Sequence, residues 1–491
     1  MKKVVSSNNI INYLNSINVS EYINYCTKSI INNYDFNGKI LFVCGNHLKG
    51  YVSLFLAYQL SNKCDCHIYL NDNFNNLIID KCNDKEISID VIDENSNFLG
   101  FDIIIDGLLD SFNYNEVDDY NKSIIERINN SNSNIISIDI NSGLNPDNGL
   151  GSSIVKSNTT FSLISLRYSH FINKSKDFIG KLINYNLNIN INSNCHLLEL
   201  NDFKDIIKKR KNFSNKYDYG LVSIIGGSNN YSGSVKLCNM ALASLRSGVG
   251  IARLCVPKSI GNSVISNVVE STVYPMPCVE GKMIFSAYDL SNVLTKSSCL
   301  VIGLGWGESS EYERILEYIL THFNRSIVLD ADGINTISKM NLELLKNYKG
   351  NIVLTPHLKE FSRLIGKDVT TILNNSVFEV EKFSREYNCI TLLKGPTNII
   401  SDGYNTFLVN RGTPGQATAG SGDVLDGVLG GILSYNDTNI LSVGSACYIN
   451  GLAGEEAEKE VGDISLIASD TIRYIPVAIK KIEKVIDIID R

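Results

Sequence analysis

Short runs of β-branched and apolar residues recur along the chain, each followed by a longer stretch whose apolar positions return every three or four residues. That alternation predicts strands followed by helices, and hence α/β layers around largely parallel sheets. Two series are visible. In the first, residues 39–44, 101–106, 134–140 and 159–164 read as buried strands; in the second, 220–225, 250–256, 299–303, 326–330, 351–355 and 389–394 do. Between them, over residues 184–218, the sequence turns Asn-rich and then basic, with the run Lys208-Lys-Arg-Lys211. A boundary is expected there, giving two α/β domains, 1–190 and 195–491.

Composition narrows the class. A chain of 491 residues exceeds what one hydrophobic core normally organises. Its net charge of −7 supplies no broad attraction to nucleic acid or to an anionic membrane. No aromatic residue interleaves the 208–211 run, which reads as a solvated helix end. The polar start, Met1-Lys-Lys-Val-Val-Ser-Ser-Asn-Asn9, leaves no room for a signal-peptide core. The most apolar later run, 424–433, is short and interrupted by Asp426, unlike a membrane span. A soluble, cytoplasmic protein is expected, with its twelve cysteines reduced and no zinc spacing among them.

The strongest local signal is Gly412-Thr-Pro-Gly-Gln-Ala-Thr-Ala-Gly-Ser-Gly-Asp423, running into the helical pattern 424–433. Small residues let backbone amides turn inward together, and a helix start adds its positive dipole end, so this loop can cradle phosphate oxygens. Asp423 falls in the first helical turn, where it can act as a base or as a simple cap. The small residues from Ala417 to Gly422 favour the base, since a cap requires no such approach. Glycines at 427, 430 and 431 suggest a helix packed closely on a neighbour.

Other segments end strands in the same way: Gly226-Gly-Ser, running through Gly233 into a helix that begins at Ser234; Gly303-Leu-Gly305; Asp330-Ala-Asp332; Thr355-Pro-His357 with Glu360; and Lys394-Gly-Pro-Thr397. Strand ends of this kind share the carboxyl edge where α/β sheets hold ligands. Lys394 is a candidate phosphate contact. Glu360 is a candidate for holding magnesium through water.

Taken in order, with Ser244-Leu-Arg-Ser-Gly-Val-Gly250 among them, these motifs resemble the ADP- or ATP-dependent NAD(P)H-hydrate dehydratase family of the ribokinase-like superfamily. The resemblance implies a ribokinase-like α/β domain in which Lys394, Gly395, Pro396, Thr397, Asn398 and Gly422 contact the nucleotide. It also implies that Ser234, Gly305, His357 and Asp423 face the hydrate of NADH or NADPH. Phosphoryl transfer from ADP or ATP, with Mg2+, would turn the hydrate's hydroxyl into a leaving group, with Asp423 as the activating base. ADP is favoured as the donor, and an assembly of identical chains is expected. The sequence departs from the family pattern at Leu358-Lys359, at Gln416 and in a Lys-Gly loop one residue short.

Residues 1–190 resemble the epimerase domain often fused to this dehydratase, a Rossmann-like three-layer fold. The match rests on Ile138-Asp-Ile-Asn-Ser-Gly-Leu144 and Phe101-Asp-Ile-Ile-Ile-Asp-Gly-Leu108. By that resemblance Asp139 would contact substrate, and Asp106 and Ser142 would hold a potassium ion. The family's Asn- and Gly-rich loop is replaced by Leu48-Lys-Gly-Tyr-Val-Ser53, so a domain that keeps the fold with weak or no epimerase activity is expected. The alternatives for the whole chain are a ribokinase-like small-molecule kinase and a non-catalytic nucleotide-binding scaffold.

Overall fold

The computed structural model describes residues 1–491 except 73–76, 185–190, 244–245, 267 and 490–491. Ser244 and Leu245 of the 244–250 motif, and most of the Asn-rich start of the boundary segment, therefore lie outside the described residues. The chain divides into two compact units, Lys3–Ser193 and Asn194–Arg491, the latter joined by Met1–Lys2.

The first unit is built on a seven-stranded, wholly parallel sheet. Its spatial order is Ser88–Val91, Asp65–Leu70, Lys39–Cys44, Ile103–Gly107, Asn134–Ile138, Thr159–Ser162, Lys181–Asn184. Central strands read as unbroken apolar runs because both faces are covered. Leu41, Val43 and Ile104 belong to one core layer, while Ile40, Phe42, Ile103 and Ile105 belong to the other. The strand order reverses between Lys39–Cys44 and Ile103–Gly107, so a crevice opens at their carboxyl ends. Asp106 stands in that crevice.

The second unit repeats the plan. Its strands run in the order Thr272–Met276, Ile251–Pro257, Leu221–Ile225, Cys299–Ile302, Ser326–Leu329, Asn351–Leu354, Ile390–Leu393, all parallel. Asn398–Ser401 and Thr406–Val409 then add as antiparallel strands, and Cys195–Leu197 pairs parallel to the latter. The order reverses between Leu221–Ile225 and Cys299–Ile302. Four strands end one residue before Gly303, Asp330, Thr355 and Lys394, which sets those residues on the carboxyl edge beside the reversal.

The helix Ser421–Tyr435 covers this sheet and packs on Ser232–Ala243. A Cβ at Gly427 would lie 2.4 Å from the Cys238 carbonyl oxygen, so the close approach requires glycine there. The sequence pattern did not reveal the strands Asp65–Leu70, Ser88–Val91, Lys181–Asn184 and Thr272–Met276. They lie at or next to sheet edges, where polar residues and even Pro275 interrupt the apolar run. Among the described residues no helix is long and apolar enough to cross a membrane.

Candidate functional site

The helix Ser421–Tyr435 starts after Gly420, which adopts a left-handed φ of 91° and carries no side chain to cap the first turn. The Ser421 amide bonds the Thr418 carbonyl oxygen at 3.3 Å, and the Gly422 and Asp423 amides with the positive end of the helix are left for an external anion. Asp423 is the third residue of the helix and is not its cap. Its carboxylate accepts a hydrogen bond from the Ser234 side chain. Burial, then the nearby Asp330 charge, pushes Asp423 up from 3.8 to about 6, within reach of a working base near neutrality.

Beneath this turn lies an ion pair. Lys394 Nζ donates to both oxygens of Asp330, at 2.8 and 3.0 Å, and the Asp330 side chain is only 4% exposed. A Cβ at Gly422 would stand 3.5 Å from Lys394 Nζ and 3.6 Å from Asp330 Oδ2, so Gly422 leaves the pair open toward the helix terminus. Asp426, one turn further along, is fully buried and accepts from Thr355 Oγ1 at 3.3 Å, and no protein group donates to its Oδ2. Burial and the neighbouring Asp330 push Asp426 well above the ordinary carboxylate range. Asp330, which burial alone would raise, is held low by Lys394 and by its neighbour Asp426. The sequence reading missed this role, although a carboxylate inside the apolar run 424–433 was its visible signal.

His357 caps the helix Leu358–Ile365. Its Nδ1 accepts from the amides of Lys359 and Glu360, at 3.1 and 3.3 Å, which puts the ring proton on Nε2, 3.3 Å from Glu360 Oε1. Burial, then the Lys394 charge, lowers His357, so it is neutral near pH 7. Glu360 Oε2 accepts the His357 amide at 2.8 Å, so the carboxylate is oriented by the cap, with a further lone pair left on each oxygen. Among the described residues no three His, Cys, Asp or Glu side chains group as a metal site.

The segment after Lys394 divides. Gly395 and Pro396 are exposed, whereas Thr397 is buried and bonds Asn410 at 3.1 Å. The Asn398 side chain accepts the Gly395 amide and donates to Cys447 Sγ, each at 3.1 Å. As placed, these last two side chains shape the hairpin turn, each through bonds to protein partners.

Ser234 and Gly305 face a cavity of about 700 Å3 whose wall also includes Tyr231, Lys282, Gly307 and Asp332. Gly305 has a φ of 60°, and a Cβ there would lie 2.7 Å from the Tyr231 carbonyl oxygen, so only glycine fits this wall. Asp332 Oδ2 accepts the Gly307 amide at 2.7 Å and holds the loop in place. The structure thus joins Ser234 and Gly305 at the cavity, with Asp423 behind Ser234, and groups Gly422, Lys394 and Asp330 under the helix terminus. His357 is near the charged pair but not in the cavity wall.

In the first unit Asp139 is paired through one oxygen: Arg167 Nη2 donates to its Oδ2 at 2.7 Å, with the guanidinium wholly buried, while no protein group bonds its buried Oδ1. His170 closes the other side. Burial lowers it to about 4, its Nδ1 accepts the Arg167 amide at 3.0 Å, and its Nε2 donates to the Asp139 carbonyl at 2.8 Å. Asp106 and Ser142 do converge, but on the ammonium of Lys49 and not on an open cation cradle.

Known proteins place this architecture. A family model described as NAD(P)H-hydrate dehydratase matches residues 222–477, and one for the YjeF-related protein N-terminus matches 15–168. The bifunctional NAD(P)H-hydrate repair enzyme Nnr of Dictyoglomus turgidum is 30% identical over 80% of this chain and 78% of its own length. The ADP-dependent (S)-NAD(P)H-hydrate dehydratase of Nitrosopumilus maritimus is 33% identical over 57% of this chain and 96% of its own. Among solved structures, a ribokinase-like superfamily protein of Enterococcus faecalis V583 covers 60% of this chain and 98% of its own at 23% identity and a TM-score of 0.52. A Bacillus subtilis ADP/ATP-dependent NAD(P)H-hydrate dehydratase co-crystallized with ATP/Mg2+ covers 58% and 98% at 20% identity and a TM-score of 0.50. These two likenesses establish the ribokinase-like fold of the second unit. The matched residues, the fold and the shared order of motifs together mean that the chain belongs to the NAD(P)H-hydrate dehydratase family, carried behind a YjeF-related N-terminal domain.

Proposed function

We propose that the second unit repairs hydrated NADH and NADPH by phosphorylating the hydrate's hydroxyl from ADP or ATP and then eliminating phosphate. The observation that carries this reading is Asp423, at about 6, set between the Ser234 side of the cavity and an uncapped helix terminus. Asp423 takes the hydroxyl proton as that oxygen bonds to the terminal phosphorus and the bond to the nucleotide breaks. The Gly422 and Asp423 amides, with Lys394 beneath Gly422, offset the charge spread over the transferring group. The ring nitrogen's electron pair then expels phosphate from the adjacent carbon, a neighbouring C–H proton is lost, and the double bond of the reduced nicotinamide returns. Mg2+ bound with the nucleotide would be held through water by Glu360 and would offset charge on the phosphates.

The nucleotide contacts fall to Lys394, Gly395, Pro396, Thr397, Asn398 and Gly422, and the hydrate contacts to Ser234, Gly305, His357 and Asp423, within a cytoplasmic assembly of identical chains. ADP is the preferred donor, as in the relative from Nitrosopumilus maritimus by its name. The first unit contributes weak or no epimerisation, a reading supported by the Arg167 clamp on Asp139. The test is to incubate the protein with a mixture of NADH-hydrate epimers, Mg2+ and ADP or ATP, and to follow reduced-nicotinamide absorbance. Recovery of the S fraction alone is expected. Recovery beyond it, above the spontaneous rate, overturns the reading of the first unit, and a phosphorylated product that accumulates without nicotinamide recovery overturns the dehydratase.

A further inference from the structure

Three oxygens of the first unit converge on one buried ammonium. Lys49 Nζ lies 3.2 Å from Asp106 Oδ2, 2.6 Å from the Ile140 carbonyl oxygen and 3.0 Å from Ser142 Oγ, with its side chain 1% exposed. The carboxylate is itself fully buried, and it also accepts from Ser137 Oγ at 2.8 Å and from the Ser142 amide at 2.9 Å. A carboxylate, a carbonyl and a hydroxyl around a single positive charge form the donor set of a hard monovalent cation. The place is the point where the sheet order reverses, between Lys39–Cys44 and Ile103–Gly107, where this architecture opens a crevice.

The local sequence explains how the lysine arrives. The helix Leu48–Leu60 starts immediately beyond Lys39–Cys44, and Lys49, in its first turn, is carried inward rather than out to solvent. A Cβ at Gly50 would stand 1.9 Å from the Gly45 carbonyl oxygen, so the helix start is pressed onto the strand end. Ser53 Oγ, one turn later, bonds the Lys49 carbonyl at 3.0 Å. Inside the chain an unpaired ammonium or an unpaired Asp106 would each be strongly unfavourable, and each group supplies the other's partner.

We propose that Lys49 is a built-in counter-cation, its tethered ammonium taking the position of an exchangeable monovalent ion, so that the first unit has no potassium requirement. Asp106 and Ser142 are thereby satisfied within the chain, and a free alkali ion could enter only by displacing a covalently held charge. The bonds of Asp106 to Lys49, Ser137 and Ser142 tie the ends of Lys39–Cys44, Ile103–Gly107 and Asn134–Ile138 together through one charged centre.

The test uses the full chain and backbone hydrogen exchange of peptides covering Ile103–Gly107, measured in potassium chloride and in choline chloride at equal ionic strength. Wild-type protection is expected to be the same in both salts. In Lys49→Ala the same peptides should exchange about 100-fold faster in choline chloride. Potassium or ammonium chloride should restore about tenfold or more of that protection, because a free ion of like charge and size can now occupy the vacated position. A wild-type chain whose protection rises in potassium over choline overturns the proposal, and this comparison needs no variant, so it stands even where Lys49→Ala does not fold. A folded Lys49→Ala chain that ignores both potassium and ammonium overturns it as well.

Discussion

Asp423→Asn should lower turnover and raise stability in the same molecule. The ionised Asp423 is disfavoured by burial and by Asp330, and the shift from 3.8 to about 6 corresponds to about 3 kcal/mol against the charged form. The direction follows from linkage. A carboxylate whose folded value lies above its unfolded value binds its proton more tightly when folded, so stability is greatest below pH about 4 and falls as pH rises through 6. Near pH 7.5, asparagine removes that penalty, and the second unit should gain up to about 3 kcal/mol, the attraction to Lys394 being already included in that net figure. Loss of the base should cut turnover by about 10²–10⁴-fold. Denaturant titration at pH 7.5, paired with nicotinamide recovery on the S hydrate, reads both effects. The wild-type rate should also fall about tenfold per pH unit below 6. Full activity in Asp423→Asn, or a wild-type profile flat from pH 5 to 7, would refute the role given to this carboxylate. A fall in stability at pH 7.5 would refute the electrostatic account of its environment.

Other expectations follow from neighbouring contacts. Gly422→Ala places a methyl at ordinary contact distance from Lys394 and Asp330, so the fold should be retained while nucleotide KM rises about tenfold, as expected for impaired anion contact worth ~1.4 kcal/mol; an unchanged KM would place the phosphates elsewhere. Lys394→Met strands Asp330 in the interior and should destabilise the second unit by about 3–5 kcal/mol in urea titration. Gly427→Ala, driven 2.4 Å from the Cys238 carbonyl oxygen, should lower stability by about 1–3 kcal/mol without altering the shape of the pH profile.

Much of the fold was legible because parallel strands covered on both faces must be apolar throughout. Residues 39–44, 103–107, 299–302 and 326–329 are such runs, and their spacing by helical stretches dictates an α/β plan. The glycine-rich approach to Asp423 was equally plain, since only residues without bulk allow amides to crowd around an anion. What sequence spacing could not supply were the pairings across the sheet. Lys394 and Asp330 are separated by 64 positions, and Asp426, hidden in an apolar run, is pushed above the ordinary carboxylate range by burial and then by Asp330, which the fold sets beside it. In the segment 48–53 Lys49 is only one charge among apolar and small residues; the helix start turns it onto Asp106, 57 residues away, and Arg167 likewise closes on Asp139. Local pattern fixes which elements form, because burial and backbone geometry act over a few residues. The partner of each buried charge is decided when distant segments meet, since a charge withdrawn from water is stable only against the group that the tertiary structure delivers to it.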